Sequence, residues 1–319
     1  MEARNSLSPT STEDIIEMQR AIIPKDCRVL IYQSANSNPP RLIEIVNGRE
    51  VVLQQYPDET SAVDPSHLRS VISTAQLLAP AQEYGLILWS HSTGWMQTPM
   101  KSRGFGYEYS REQMSISDLA DAIKGLDLDF IVFDTCYMAC VEVAYELRNA
   151  ARYMVASVCE VPEDGMPYIK TLPALLSEDM AEGLKEAIDV TVSSYPNFGG
   201  CPSTLSLIDL TKMDALAAAV KDARRGPIPN YTPQVFSTSH PYNRLFFDFG
   251  QYFDVIGGNE SAKNDAILHE RHTSSIWGRL PLTHCSGLSI FIPEFSSGFN
   301  YDSYGYSSLE WPQFLNLTN

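Results

Sequence analysis

The chain is predicted to fold as an α/β protein around one mostly parallel sheet. Two observations carry this. Strand-length apolar runs alternate with helical patterns along almost the whole sequence. Several of those runs are continuously apolar, as expected when helices cover both faces of the sheet.

The elements follow in order. Residues 1–10 read as a loose tail. Ser11 or Thr12 caps a short helix carrying Ile15, Ile16, Met18 and Ile22, and Pro24 ends it. The expected strands are R-V-L-I-Y-Q (28–33), V-V-L-Q-Q-Y (51–56), G-L-I-L-W-S (85–90), D-F-I-V-F-D (129–134), Y-M-V-A-S-V (153–158), T-L-S-L-I-D (204–209) and G-L-S-I-F-I-P (287–293). Helical patterns fall at about 65–79, 116–125, 139–150, 168–177, 180–194, 211–223 and 244–256. The longest irregular stretches are 96–113 and 223–243, and loops of that length in a compact domain are often functional. There is no internal repeat and no long linker. The expected organisation is a tail and short helix over 1–26, then a single domain over 27–319.

At 44% hydrophobic and 19% charged residues, the composition is that of a globular protein. A net charge of -16 repels phosphate backbones and anionic lipid, so nucleic acid and membrane surfaces are not expected partners. It attracts cationic substrates. No apolar run is long enough to span a membrane. The six cysteines are scattered without a C-x-x-C pair and read as free thiols, so no metal ligands are assigned. The first residues are polar and show no signal peptide. A complete sequence would place the protein in the cytoplasm, and a removed leader would make it an exported one.

Two strands end in reactive residues. L-I-L-W-S delivers His91, and F-I-V-F-D delivers Asp134, Thr135 and Cys136, with a helix expected to follow at once. Ligands of open α/β sheets bind beyond the carboxyl ends of strands. If the two strands are neighbours, His91 and Cys136 share one rim, as nucleophilic catalysis by a Cys–His pair requires. A helix start at Cys136 would favour its thiolate. The bland alternatives are a structural histidine and a buried thiol. No G-x-S-x-G, G-x-x-x-x-G-K-[ST] or G-x-G-x-x-G motif competes with this reading.

The segments L-I-L-W-S-H-S-T-G-W (86–95) and I-V-F-D-T-C-Y-M-A-C-V-E-V-A-Y-E-L (131–147) resemble the two signatures of the clostripain family of cysteine peptidases. That family usually reads L-W-x-H-G-S-G-W and F-D-A-C-L-M-A-x-x-E-V-A-Y-E-L. V-A-S-V-C-E-V-P-E-D-G-M-P-Y (155–168), L-F-F-D-F-G-Q-Y-F (245–253) and G-L-S-I-F-I-P (287–293) are similar to later landmarks. The resemblance implies a caspase-like α/β/α sandwich, related to caspases, gingipains and legumains, that cleaves after arginine or lysine. It makes His91 the acid/base, Cys136 the nucleophile and Asp134 the acidic base of the specificity pocket. A buried carboxylate is a physically sensible partner for a guanidinium or ammonium. The alternative for Asp134 is a helix N-cap. Backbone N–H groups of Cys136 and the 92–94 turn would form the oxyanion site.

Similar enzymes cut themselves after the histidine strand, where Lys101 and Arg103 are the candidate sites. Some need calcium, but no EF-hand loop is present, so no cofactor is expected. Related bacterial enzymes are usually exported. Glu142 and Glu146 read as structural, solvated or ion-paired. Trp89 and Trp95 read as packing around His91. One departure stands out: the family has Gly where this chain has Ser92. A positive φ there, the favoured expectation, would strain Ser92 and disturb the oxyanion donor, whereas a negative φ would let Ser92 fit and its hydroxyl add a hydrogen bond. The rival function is a non-catalytic homologue that binds basic peptides or a protein partner.

Overall fold

The computed structural model describes residues 1–96, 104–108, 113–195, 204–224, 228, 231, 233–237, 245–296 and 299–315. The chain opens with a strand, β1 (Glu2–Ala3), and a helix, α1 (Ser8–Arg20). β1 runs parallel to β2 (Leu30–Ala35), which continues as an antiparallel meander into β3 (Asn38–Val46) and β4 (Arg49–Gln55). The loose tail expected over 1–10 therefore does not hold. Ala3, Leu7, Ile15 and Met18 are buried in one core cluster. α1 starts at Ser8, ahead of the expected cap, with Pro9 in its first turn, where a missing N–H costs nothing. β3 is not among the expected strands; Pro39 and Pro40 occupy its start, where proline is tolerated.

The central sheet contains β5 (Gly85–Trp89), β6 (Phe130–Asp134), β7 (Tyr153–Ala156), β8 (Thr204–Asp209) and, after the two-residue β9 (Phe247–Asp248), β10 (Ile267–His272). Its order is β10-β8-β7-β6-β5. β5, β6 and β7 pair in parallel, while β8 is antiparallel to both of its neighbours. Four strands thus point one way and β8 opposes them, a mostly but not purely parallel sheet. β10 escaped sequence reading because I-L-H-E-R-H carries charges along an edge strand, as exposed sheet edges commonly do.

Alternation along the strands sends side chains to two cores. Leu88, Ile131, Phe133, Met154 and Ile208 enter one cluster, with α3 (Ile116–Ile123), α4 (Val141–Glu146), α7 (Met213–Ala223) and α8 (Phe249–Val255). Trp89, Val132, Val155, Leu205 and Leu207 enter the other, with α1, α5 (Tyr168–Leu175) and α6 (Met180–Ser194). The result is the α/β/α sandwich. Two expected elements are redrawn. The strand at 287–293 shrinks to Ser289–Ile290, paired with β9. The helix at 244–256 begins only at Phe249, because Asp248 caps it by accepting from Gln251 N at 2.8 Å. Among the described residues, no helix is long and apolar enough to cross a membrane.

Candidate active site

Trp89 of β5 lies opposite Asp134 of β6 in parallel register. Each strand then runs two residues further, to His91 and to Cys136. Equal offsets on neighbouring parallel strands deliver both side chains to one carboxyl-end rim, where open α/β sheets bind ligands.

The loops that carry them interlock. Tyr137 N donates to Cys159 O at 2.9 Å, and Ala139 N to Ser157 O at 2.8 Å, so the segment after β7 clasps the segment after β6. Tyr137 takes a left-handed φ of 60° and stacks on Phe246 with centroids 4.6 Å apart. Gly94, at φ +63°, packs against both: a Cβ there would sit 2.8 Å from Tyr137 O and 2.9 Å from Phe246 Cε1. Only glycine fits. The histidine loop is held from its other side by Gly106 N donating to His91 O at 3.0 Å and Thr93 N to Gly104 O at 3.2 Å.

Cys136 Sγ accepts from Val161 N at 3.3 Å. His91 Nε2 meets Ser6 Oγ at 3.0 Å. Among the described residues, the two groups share no hydrogen bond with each other. Burial pushes the Cys136 thiol up to about 11, aided by the Glu160 and Asp134 charges and opposed by the Val161 N–H. The helix start expected at Cys136 does not exist, because α4 begins at Val141 with Cys140 as its N-cap. Cys136 therefore gains no thiolate from a helix terminus, and with its thiol pushed up to about 11 it is protonated at neutral pH. Burial also lowers His91, with Glu163 acting the other way, so the imidazole rests neutral and able to accept a proton.

Asp134 ends β6 and caps no helix, which removes the N-cap alternative. Its Oδ2 accepts from Met166 N at 3.0 Å and from Tyr168 OH at 2.8 Å. Its Oδ1 is buried without a partner. Burial raises the carboxyl to about 6, against the two hydrogen bonds. The carboxylate faces a small cavity of about 10 Å³, lined also by Val161, Met166, Tyr195, Thr204 and Leu205. That is space for roughly one water.

Ser92 is a correction. It is not among the residues of positive φ, so the strain expected from replacing the family's glycine is absent; Gly94 takes that conformation instead. The Ser92 hydroxyl donates to the carbonyl oxygen of Cys136, tying the histidine loop to the cysteine loop. Ser92→Gly is accordingly expected to lower turnover rather than raise it. One neutral hydrogen bond is worth about 1 kcal/mol, hence about fivefold in steady-state kcat. An unchanged or higher kcat would show that the bond has no part in holding the site.

Glu142 is also corrected. It is fully buried, accepts from Phe291 N at 2.8 Å and is raised to about 8 by desolvation, so it is neither solvated nor ion-paired. Glu146 accepts from Glu310 N at 2.5 Å. Trp89 and Trp95 pack as expected, on opposite faces of the sheet. Lys101 and Arg103 lie outside the described residues. Sequence reading missed Ser6 on His91, and Glu2, whose buried carboxyl accepts from Ser90 Oγ at 2.5 Å and Tyr107 N at 2.7 Å. Both lay in a segment taken as a tail, and only the pairing of β1 brings them to the rim.

Comparison with known proteins bears on the fold and the family. Over the full length, the chain is similar to a secreted C11 cysteine protease from Bacteroides thetaiotaomicron solved with an irreversible peptide inhibitor (24% identity, 100% of this chain and 97% of the other, TM-score 0.85). It is also similar to an inactive zymogen C11 protease from Parabacteroides distasonis (25% identity, 98% and 95% covered, TM-score 0.79). A clostripain from Bacteroides thetaiotaomicron in complex with the peptide inhibitor BTN-VLTK-AOMK matches at 25% identity over 67% of this chain and 100% of that one, with a TM-score of 0.56. A search of curated proteins found no match. The profile of the clostripain family, Peptidase C11, matches residues 1–264, and the chain belongs to that family of cysteine peptidases.

Proposed function

We propose that this cysteine peptidase is an endopeptidase that cuts after arginine or lysine, with Cys136 as nucleophile and His91 as acid/base. The observation that carries the specificity is Asp134: a carboxyl oxygen buried without a partner, facing a cavity beside the nucleophile. Such a group gains most from a cationic side chain that brings both charge and donors. The exposed acids Glu163 and Asp164 lie in the same loop, and the lysine in the VLTK inhibitor of the related clostripain points the same way. A basic side chain requires the cavity to widen.

In the mechanism, Cys136 Sγ attacks the scissile carbonyl carbon and its proton passes to His91. The C–N bond breaks and His91 returns the proton to the leaving amine. His91 then takes a proton from water, which attacks the thioester and releases the acid and the thiol. Among the described residues, the N–H groups of Cys136, Ser92 and Gly94 have no protein acceptor, whereas that of Thr93 is taken by Gly104. This favours the first three as oxyanion donors. Export is proposed from the secreted relative alone.

A panel of fluorogenic peptides differing only in the residue before the scissile bond tests the reading. Arginine and lysine substrates are expected to exceed neutral ones by at least about tenfold in kcat/KM. Binding of basic peptides without turnover would instead favour the non-catalytic homologue.

A further inference from the structure

Glu270 and His272 sit two residues apart on β10 and so share one face of the edge strand, opposite Ser206 and Thr204 of β8. Across that face runs the segment that carries Cys285. Gly287, at φ +96°, lets this segment press onto the strands: a Cβ there would lie 2.9 Å from Ser206 Cβ and 3.3 Å from Glu270 Cγ. Ser206 Oγ donates to Gly287 O. Ser286 N donates to Asp248 Oδ2 at 2.7 Å, and Gly250 N donates to Ser286 Oγ at 2.9 Å. Strand register fixes two side chains and a pinned loop fixes the third. One ligand-type atom from each of Glu270, His272 and Cys285 lies within 4.8 Å of the others.

We propose that Glu270, His272 and Cys285 form a binding site for a zinc-class divalent cation. The donor set decides the class. Thiolate sulfur, imidazole nitrogen and carboxylate oxygen together suit borderline-soft Zn²⁺ or Co²⁺, whereas Ca²⁺ and Mg²⁺ take oxygen alone. Three protein ligands leave one tetrahedral position for water. Without a cation, the same residues are a surface ion pair, His272 Nδ1 to Glu270 Oε1 at 2.7 Å, with a thiol beside it. What the ion pair leaves unexplained is the half-buried thiol, which the pinned loop holds within 4.8 Å of both partners, so that one divalent cation would engage all three groups. Asp248 bonds the loop backbone beside Cys285 and supplies outer negative charge, as carboxylates around metal ligands commonly do. The site also adjoins the specificity region, because His272 pairs with Thr204, which lines the cavity facing Asp134. A bound cation would tie β10 to the 283–288 loop at that end of the rim.

The test uses the full chain carrying Cys136→Ala, which removes the nucleophilic thiol as a competing ligand and makes the readout independent of peptidase activity. Equilibrium dialysis against Zn²⁺ followed by metal analysis is expected to give one zinc per chain. Co²⁺ is expected to give a thiolate-to-cobalt charge-transfer band. Cys285→Ser and His272→Ala should each weaken zinc at least about tenfold, while Cys27→Ser changes nothing. His272 is exposed, so His272→Ala keeps the test valid if Cys285→Ser unfolds. Zinc should raise Tm in the parent and not in His272→Ala. No zinc bound, zinc bound equally by His272→Ala and Cys285→Ser, or a preference for Ca²⁺ would overturn the proposal.

Discussion

Cys136→Ala is expected to abolish peptidase turnover, by about 10⁴-fold or more, while the protein stays folded. The size follows from covalent chemistry: without the Cys136 sulfur the proposed thioester cannot form at that position, and the neighbouring Cys159 thiol is fully buried. The fold should survive, because among the described residues Cys136 Sγ hydrogen-bonds only with the Val161 backbone and the alanine Cβ keeps part of its packing against the core. Rates on an arginine peptide, with thermal unfolding as the control for folding, check both halves. The resting thiol also alters how it should be labelled. At about 11 it is protonated at neutral pH, so small alkylating agents are not expected to select it by reactivity alone. An electrophilic peptide ending in arginine should select it, because binding places the electrophile beside the sulfur, and mass spectrometry would locate the adduct. Full activity in Cys136→Ala, or an adduct on another cysteine, would sink the assignment.

Asp134→Ala is expected to reduce kcat/KM on arginine and lysine substrates by about 30- to 4000-fold, the 2–5 kcal/mol typical of removing one partner of a buried charge pair. Substrates with neutral residues at that position should change far less. Asp134→Asn separates charge from shape, because an amide oxygen can still accept from Met166 N and Tyr168 OH. The pH dependence has a definite sign. Burial raises the carboxyl to about 6, and only the ionised form holds a cation. Hence kcat/KM on basic substrates should fall as pH drops through about 6 in the parent, and in Asp134→Asn the Asp134 component should be lost, leaving only the limb from protonation of His91. In the bound complex the cation stabilises the carboxylate, so the corresponding fall in kcat lies at lower pH. A variant that keeps its preference for basic residues would place the specificity in another carboxylate.

The parts of this molecule legible in the sequence are those where one physical signal dominates. β5 and β6 are short apolar runs covered on both faces, and the residues that follow them, His91 and Cys136, fall on one rim because parallel neighbours end together. Signals that compete or act at long range hid the rest. β3 has Pro39 and Pro40 at its start, and surface charges masked β10. Glu142 looked solvated because a carboxylate in a short helix usually is; its burial depends on Phe291, 149 residues away. The Ser92 contact is unreadable in the same way, since a hydroxyl reaching a carbonyl 44 residues on leaves no local pattern. The resemblance to a glycine-bearing family made Ser92 look like a defect, and Gly94 two residues later carries the conformation that had been assigned to it.

The knot of Gly94, Tyr137 and Phe246 bears on how the proposed catalytic pair is spaced. With no bond joining Cys136 to His91 at rest, their separation is a property of the scaffold, not of mutual attraction. The two loops behave as one rigid clamp, fastened by a stacked ring pair, a missing side chain and a serine hydroxyl. The placement of sulfur and imidazole is therefore set by the loops before substrate arrives. A peptide entering the site does not have to break an existing ion pair or separate two charges, and the energy that would be used for that remains available for drawing the scissile bond toward the sulfur.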